Sequence, residues 1–234
     1  MSCLLYCVFP GGLPPDLEMP AGVGGPPVFL VEHKGLSAVL SELPPSDSPP
    51  GISEILAYEQ VVEFFHRQRT VIPMRYGCRP QTASEAIRLL EEHYSEYEVL
   101  LRKLEGSVEM GIQVLSENLG DQADPNGSGV AAESLLPGLS GTDYLAAKRL
   151  HYLSIDRGTR QQSRLVQTLC SMLEGLYADH KIEARPLANG RLQSIYFLVP
   201  RDAIASFRQT AQEIFKKQNA KLLLSGPWPP YNFV

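Results

Sequence analysis

Apolar positions along the chain fall into blocks of two periods, two residues for strands and about 3.6 for helices, and these blocks predict an α+β protein. Cys3 to Phe9 (CLLYCVF) is an almost unbroken apolar run of strand length, which predicts a central strand covered on both faces. Val28 to Val31 and Leu36 to Leu40 predict two short strands of a hairpin around His33, Lys34 and Gly35. From Ile52 to Arg67, Ile55, Tyr58, Val62 and Phe65 recur at threes and fours with Val61 and Phe64 beside them, so a helix with a wide buried face is expected. Thr70 to Gly77 (TVIPMRYG) is a strand interrupted by Pro73, which implies an edge or a bulge and places Arg75 and Tyr76 in a turn. Gln81 to Leu104 reads as one continuous helix with Ala83, Ile87, Leu90, Tyr94, Tyr97, Leu101 and Leu104 inward.

The second half repeats this alternation more regularly. Val108, Met110, Ile112 and Val114 alternate with Glu109, Gly111 and Gln113, predicting a strand with one buried face. A long helix is expected from Asp143 to about Asp179, with Leu165, Leu169, Met172, Leu173 and Leu176 as its stripe. Ile182 to Leu187 and Leu192 to Val199 form a hairpin through Ala188, Asn189 and Gly190. Arg201 to Lys217 is an amphipathic helix, and Leu222 to Leu224 is the closing strand. The order β-α-β-β-α-β closes as a ferredoxin-like sandwich with a long first helix, because each helix crosses over to a strand of the same antiparallel sheet. The expected organisation is a smaller α+β domain over 1–104, itself a modified ferredoxin-like unit, and the ferredoxin-like domain over 105–225. Residues 116–140 are rich in Gly, Ser, Asp and Asn and are expected to be a mobile linker.

Two proline-rich stretches interrupt the pattern. Pro10 to Pro27 holds six prolines and five glycines, which predicts an exposed loop, and a second cluster spans Pro44 to Pro50. The end of the chain, Ser225 to Val234 (SGPWPPYNFV), carries three prolines that hinder sheet extension, so 226–234 is expected to be a stiff, extended tail. Its Trp228, Tyr231 and Phe233 are read in two ways. They staple the two domains, or they belong to an exposed apolar patch for a partner.

Composition narrows the function classes. The 234 residues, 44% hydrophobic and 20% charged, suit a globular chain of two modest domains. Apolar stretches are broken by charge or proline within about ten residues, short of the roughly 20 that a spanning helix needs. Met1 to Pro10 lacks a basic region ahead of its apolar run and reads as a strand rather than a signal peptide, so a cytosolic protein is expected. The net charge of −5 is uneven, with 8 Lys and Arg against 19 Asp and Glu over 1–140 and 13 against 7 over 141–234. This asymmetry either helps the halves dock on each other or orients the protein on a partner assembly. Cys3, Cys7, Cys78 and Cys170 lack paired metal-site spacing and read as reduced, mostly buried thiols.

Candidate chemistry is sparse. Gly22, Gly24 and Gly25 run into Pro26 and Pro27 and open no helix, so they form no nucleotide loop. His33, His66, His93, His151 and His180 place no pair at i, i+4, and Glu91 and Glu92 point about 100° apart on a helix. Tyr196 and Phe197 are strand neighbours and face opposite ways, which together with the acidic balance argues against base stacking on nucleic acid. Arg157, Arg160 and Arg164 share a helix face that reads as solvated. The residues therefore assign no catalytic, cofactor-binding or metal site, and no enzyme is expected.

Four segments carry a resemblance. Val71 to Gly77 (VIPMRYG), Leu104 to Val114 (LEGSVEMGIQV), Gly141 to Lys148 (GTDYLAAK) and above all Gly226 to Val234 (GPWPPYNFV) resemble the successive signatures of the gas vesicle protein F/L family, the compact F members more closely. The resemblance spans nearly the whole chain. It implies a minor structural or accessory protein of gas vesicles that binds the hydrophobic shell protein and assists vesicle nucleation and assembly. It also implies other gas vesicle accessory proteins as partners, no nucleic acid or lipid membrane, no cofactor, and residence in the cytoplasm before assembly and on the vesicle after it. Arg75, Tyr76, Trp228, Tyr231 and Phe233 are the candidate partner-binding residues. The alternative is a ferredoxin-like ligand-binding or regulatory domain, which calls for a deep pocket with converging polar groups.

Overall fold

The computed structural model describes residues 2–14, 16–43, 50–117, 164–187, 190–217 and 221–234. It is an α+β fold built on two antiparallel four-stranded sheets. The first sheet has the order β2-β3-β1-β4, where β1 is Ser2–Pro10, β2 Val28–His33, β3 Leu36–Leu43 and β4 Ile72–Pro73. The expected central strand is thus an interior one. Its apolar run is buried on both faces because helix α1 (Ile52–Gln68) covers one and helices α2 (Ala83–Glu92) and α3 (Tyr94–Leu104) cover the other. Pro73 confines β4 to two residues at the sheet edge, since proline cannot donate to a further neighbour.

A bulge in β1 decides which side chains face α1. The register steps from Leu5↔Leu40 to Cys7↔Val39, so Tyr6 is the extra residue and Tyr6 and Cys7 both enter the core beneath α1. The carbonyls near the bulge meet the Tyr58 hydroxyl of α1, at 3.1 Å from Leu5 O, 3.2 Å from Tyr6 O and 2.6 Å from Met74 O. Tyr58 is fully buried, and burial pushes its phenol pKa up, which keeps the proton on as a donor. Tyr58→Phe is expected to lower stability by about 1–3 kcal/mol, because it takes the hydroxyl donor away from Met74 O and the bulge carbonyls while leaving the packing intact. Chemical unfolding would measure it. A loss below about 0.5 kcal/mol would show that the bulge does not depend on this hydroxyl.

The loop after β1 is mostly exposed, as expected, but it tucks Val23 into the α1-side core, where Val23 N donates to the Tyr6 hydroxyl at 2.9 Å and that hydroxyl meets Ser41 Oγ at 2.8 Å. Gly22 permits this approach, since a Cβ there would lie 2.6 Å from the Ser41 Cβ. The β2–β3 hairpin turns as expected through Lys34 and Gly35, with φ of 47° and 83°.

The expected helix from Gln81 to Leu104 is two helices that break at His93. Its inward residues repeat strictly every seven, and such a stripe drifts about 20° per heptad around a straight helix. The break lets Ala86 and Leu90 of α2 and Leu101 and Leu104 of α3 enter the same core.

The second sheet has the order β6-β7-β5-β8, with β5 Ser107–Glu117, β6 Asp179–Leu187, β7 Gly190–Pro200 and β8 Lys221–Trp228. One face, bearing Val108, Met110, Ile112 and Val114, is covered by helical residues 164–172 (α4) and by α5 (Ile204–Lys217). β5 takes Ser116 and Glu117 out of the expected linker, while 118–140 and the long helix before 164 lie outside the described residues, as do Arg157 and Arg160. The helix also stops earlier than expected. Its regular hydrogen bonding ends by 172, and Gly175 takes φ 83°, a left-handed turn that costs glycine little. The buried stripe is Val166, Leu169 and Leu173, with Met172 turned outward at 46% exposure. Pairing of β6 with β7 closes at Leu187↔Gly190, and residues 188–189 lie outside the described ones.

The halves share a core. Leu198, on the opposite face of the second sheet, packs with Phe233 against Leu5, Ile72, Leu101 and Leu104.

Candidate functional site

The five candidate residues differ in where they lie and how far they are exposed. β8 does not stop at Leu224. It pairs with β5 as far as Glu109↔Trp228, accommodating the prolines through a register shift between Glu109 and Gly111. Gly226 makes the shift possible. It has φ 104°, and a Cβ there would lie 2.7 Å from Glu109 O. The Arg208 guanidinium donates to Gly226 O at 2.7 Å and so ties α5 to the same kink.

Beyond Trp228 the chain is folded rather than extended, with Pro229 and Pro230 buried and a 3-10 turn over Tyr231–Phe233. Glu109 holds this turn. Its carboxylate, 5% exposed, accepts from Asn232 N at 2.8 Å and from Asn232 Nδ2 at 2.7 Å. Burial raises the Glu109 pKa, and the two Asn232 bonds and Lys181 act in the opposite direction. Phe233 is 2% exposed, and the ammonium groups of Lys103 and Lys181 lie 5.7 and 5.6 Å from its ring centre. Lys103 also pairs with Asp179 at 2.8 Å, joining α3 to β6.

Tyr231 borders the α1-side core. Its hydroxyl is buried near the Glu59 carboxylate: burial raises the pKa of both groups, the carboxylate pushes the phenol further up, and the phenol pulls the carboxyl back down. Tyr76 is half-buried with its ring edge-on to Tyr58, 5.1 Å between centres. Arg75 is exposed in a turn closed by Cys78 N donating to Arg75 O at 3.2 Å. Trp228 is 51% exposed. Tyr231 and Phe233 are therefore packed inward, while Arg75 and Trp228 are exposed.

Other residues, at the seam between the halves, escaped the sequence reading. Glu109 was placed on an open strand face, and the tail that covers that face lies 123 residues away in sequence. Arg201 donates its guanidinium N–H to His66 O, and its backbone N–H to Gly106 O at 2.9 Å, fastening the turn after β7 to the end of α1. His66 is 3% exposed, and burial, then Arg201, depress its pKa to about 4. On α1, Ile55 belongs to the exposed side at 41%, together with Ile52 and Leu56, and not to the buried stripe.

A cleft of about 380 Å³ lies between the β2–β3 turn and α3, lined by Lys34, Thr70, Tyr94, Glu98, Arg102 and Glu105 among others. It is open and bordered by a helix-surface pair, Arg102 with Glu98 at 4.0 Å. Among the described residues, no three His, Cys, Asp or Glu side chains cluster closely enough to hold a metal ion. No helix among them is long and apolar enough to cross a membrane.

Comparison with known proteins bears on the whole of this chain. The family model described as gas vesicle synthesis protein GvpL/GvpF matches residues 2–234. Gas vesicle protein F of a Streptomyces strain is 26% identical over 250 aligned positions, covering 100% of both chains. Gas vesicle protein L of the same strain is also 26% identical, covering 96% of this chain and 88% of its own. The crystal structure of the gas vesicle protein GvpF from Anabaena superposes with a TM-score of 0.79 at 17% identity, covering 99% of this chain and 95% of that one. With the family model spanning both sheets, the seam and the folded tail, the chain belongs to the GvpL/GvpF family of gas vesicle proteins and takes part in gas vesicle formation.

Proposed function

We propose that this protein is a minor accessory component that binds the hydrophobic shell protein of the gas vesicle and assists vesicle nucleation and assembly alongside other accessory proteins. It is cytoplasmic before assembly and carried on the vesicle afterwards. The supporting observation is the contrast between the two edges of the second sheet. β6 bears Asp179, Lys181, Glu183 and Arg185, charges that discourage pairing with another chain. β8 has Lys221 as its one charged residue and exposes Leu223 at 59% and Trp228 at 51%. Such an edge suits an apolar subunit that adds along the strand, with the Trp228 ring as anchor and Arg75 as a polar contact. Tyr76, Tyr231 and Phe233 serve this reading by holding the seam in place.

Capture of purified shell subunit by the immobilised protein tests the proposal. Trp228→Ala is expected to weaken capture about tenfold or more, since an aromatic anchor contributes roughly 2 kcal/mol, while folding stability changes by less than about 1 kcal/mol at this half-exposed position. Full capture by a Leu223→Lys, Trp228→Ala double variant would refute β8 as the contact.

A further inference from the structure

Helix α1 carries a second apolar stripe that its own core does not use. Ile52, Ile55 and Leu56 stand at i, i+3 and i+4 with exposures of 79%, 41% and 56%, the densest group of exposed apolar side chains among the described residues. One turn further along the same stripe is Glu59, and one turn beyond that is Glu63. Glu63 is paired with Arg67 at 2.9 Å, whereas Glu59 has no basic partner among the described residues. Beside Glu59 lies the buried Tyr231 hydroxyl, a neutral neighbour that brings the carboxylate no counter-charge. The segment before the helix, 44–49, offers only Pro, Ser and Asp and has no large apolar side chain to lay over the stripe.

We infer that the outer face of α1 is a docking site for an amphipathic helix of a partner protein, whose apolar stripe covers Ile52, Ile55 and Leu56 and whose Lys or Arg at the end of that stripe pairs with Glu59. The helix form follows from the spacing, since three apolar side chains within one and a half turns match the anchors of a helix laid alongside. The cation follows from the half-buried carboxylate, because a charge taken partly out of water without a counter-charge gains most from one that arrives with the ligand. A second copy of this chain fits poorly, as its own α1 stripe would offer Glu59 and Glu63 in place of a cation. An anionic lipid surface would be repelled by the same carboxylates. This site is separate from the β8 edge, so it does not depend on how that edge binds the shell protein.

The test uses two synthetic helical peptides of about five turns. Both carry one leucine stripe, which ends in Arg in one peptide and in Glu in the other, and binding to the full chain is followed by fluorescence anisotropy. The Arg peptide is expected to bind about tenfold tighter than the Glu peptide. Glu59→Gln should erase that preference, and Leu56→Ser should abolish binding of both peptides without moving Tm. Trp228→Ala should leave peptide binding intact, which keeps failure of the shell-protein reading distinct from failure here. Equal binding of the two peptides, or binding that survives Leu56→Ser, would overturn the inference. So would a fall of several degrees in Tm for Leu56→Ser, which would show that the chain covers this face itself.

Discussion

Phe233→Ala is expected to lower stability by about 3–5 kcal/mol, and therefore Tm by roughly 10 °C, although it alters only the penultimate residue. Terminal residues are usually poorly ordered unless something ties them down. Here the ties are specific. Glu109 accepts two hydrogen bonds from Asn232, and these set the 3-10 turn that points Phe233 into the core shared by β1, α3 and β7. Truncating the ring opens a cavity in the core cluster that also holds Leu5, Ile72, Leu101, Leu104 and Leu198, and removes the aromatic face from Lys103 and Lys181. Trp228→Ala is the internal control. The ring is larger but half in solvent, so its loss should cost less than about 1 kcal/mol. Calorimetric scans of the two variants would decide. If Trp228→Ala proved as damaging as Phe233→Ala, the seam would not be held as described.

The second large effect is on pH dependence. Because His66 has a folded pKa of about 4 against an ordinary 6.5, the unfolded chain takes up this proton at higher pH than the folded one. The stability it contributes is therefore fully present above pH 6.5 and is lost as pH falls from there to about 4. Glu59 and Glu109 act in the opposite sense, since burial raises their pKa and the folded chain gains on the unfolded one as they protonate. A comparison with His66→Gln isolates the histidine, because Arg201 can still donate to the backbone carbonyl at position 66. Between pH 7 and pH 4.5 the wild type should lose on the order of 2 kcal/mol more than His66→Gln in urea unfolding. Parallel pH curves for the two proteins would show that the imidazole is not held neutral by the fold.

The pattern of apolar residues determined a great deal without any coordinates. The run Cys3–Phe9 could only be an interior strand, and the alternation at Val108, Met110, Ile112 and Val114 could only bury one face, because side chains on a strand alternate whatever surrounds them. Pro73 marked an edge, and Lys34-Gly35 a tight hairpin, for equally local reasons. The terminal motif with its prolines was legible as unusual, and so was its part in joining the halves as one of two readings.

What the sequence left undecided depends on contacts between residues far apart. Periodicity names the spacing of a stripe but not which way the helix is rolled, so Ile55 and Met172 were assigned inward while Val166 was passed over. The roll of each helix is set by the sheet that receives it, and here by a bulge at Tyr6 whose carbonyls are met by Tyr58, more than 50 residues away. Glu109 appears in the sequence as the polar half of an alternating strand. It becomes a buried anchor because the chain returns with an Asn-bearing turn, and a carboxylate remains in such a place only when donors meet it. The tail motif likewise fixed which rings were available but not how they divide. Phe233 and Tyr231 go inward and Trp228 stays half out because Gly226 re-aims the strand at Glu109, a close approach that only the packed sheet imposes.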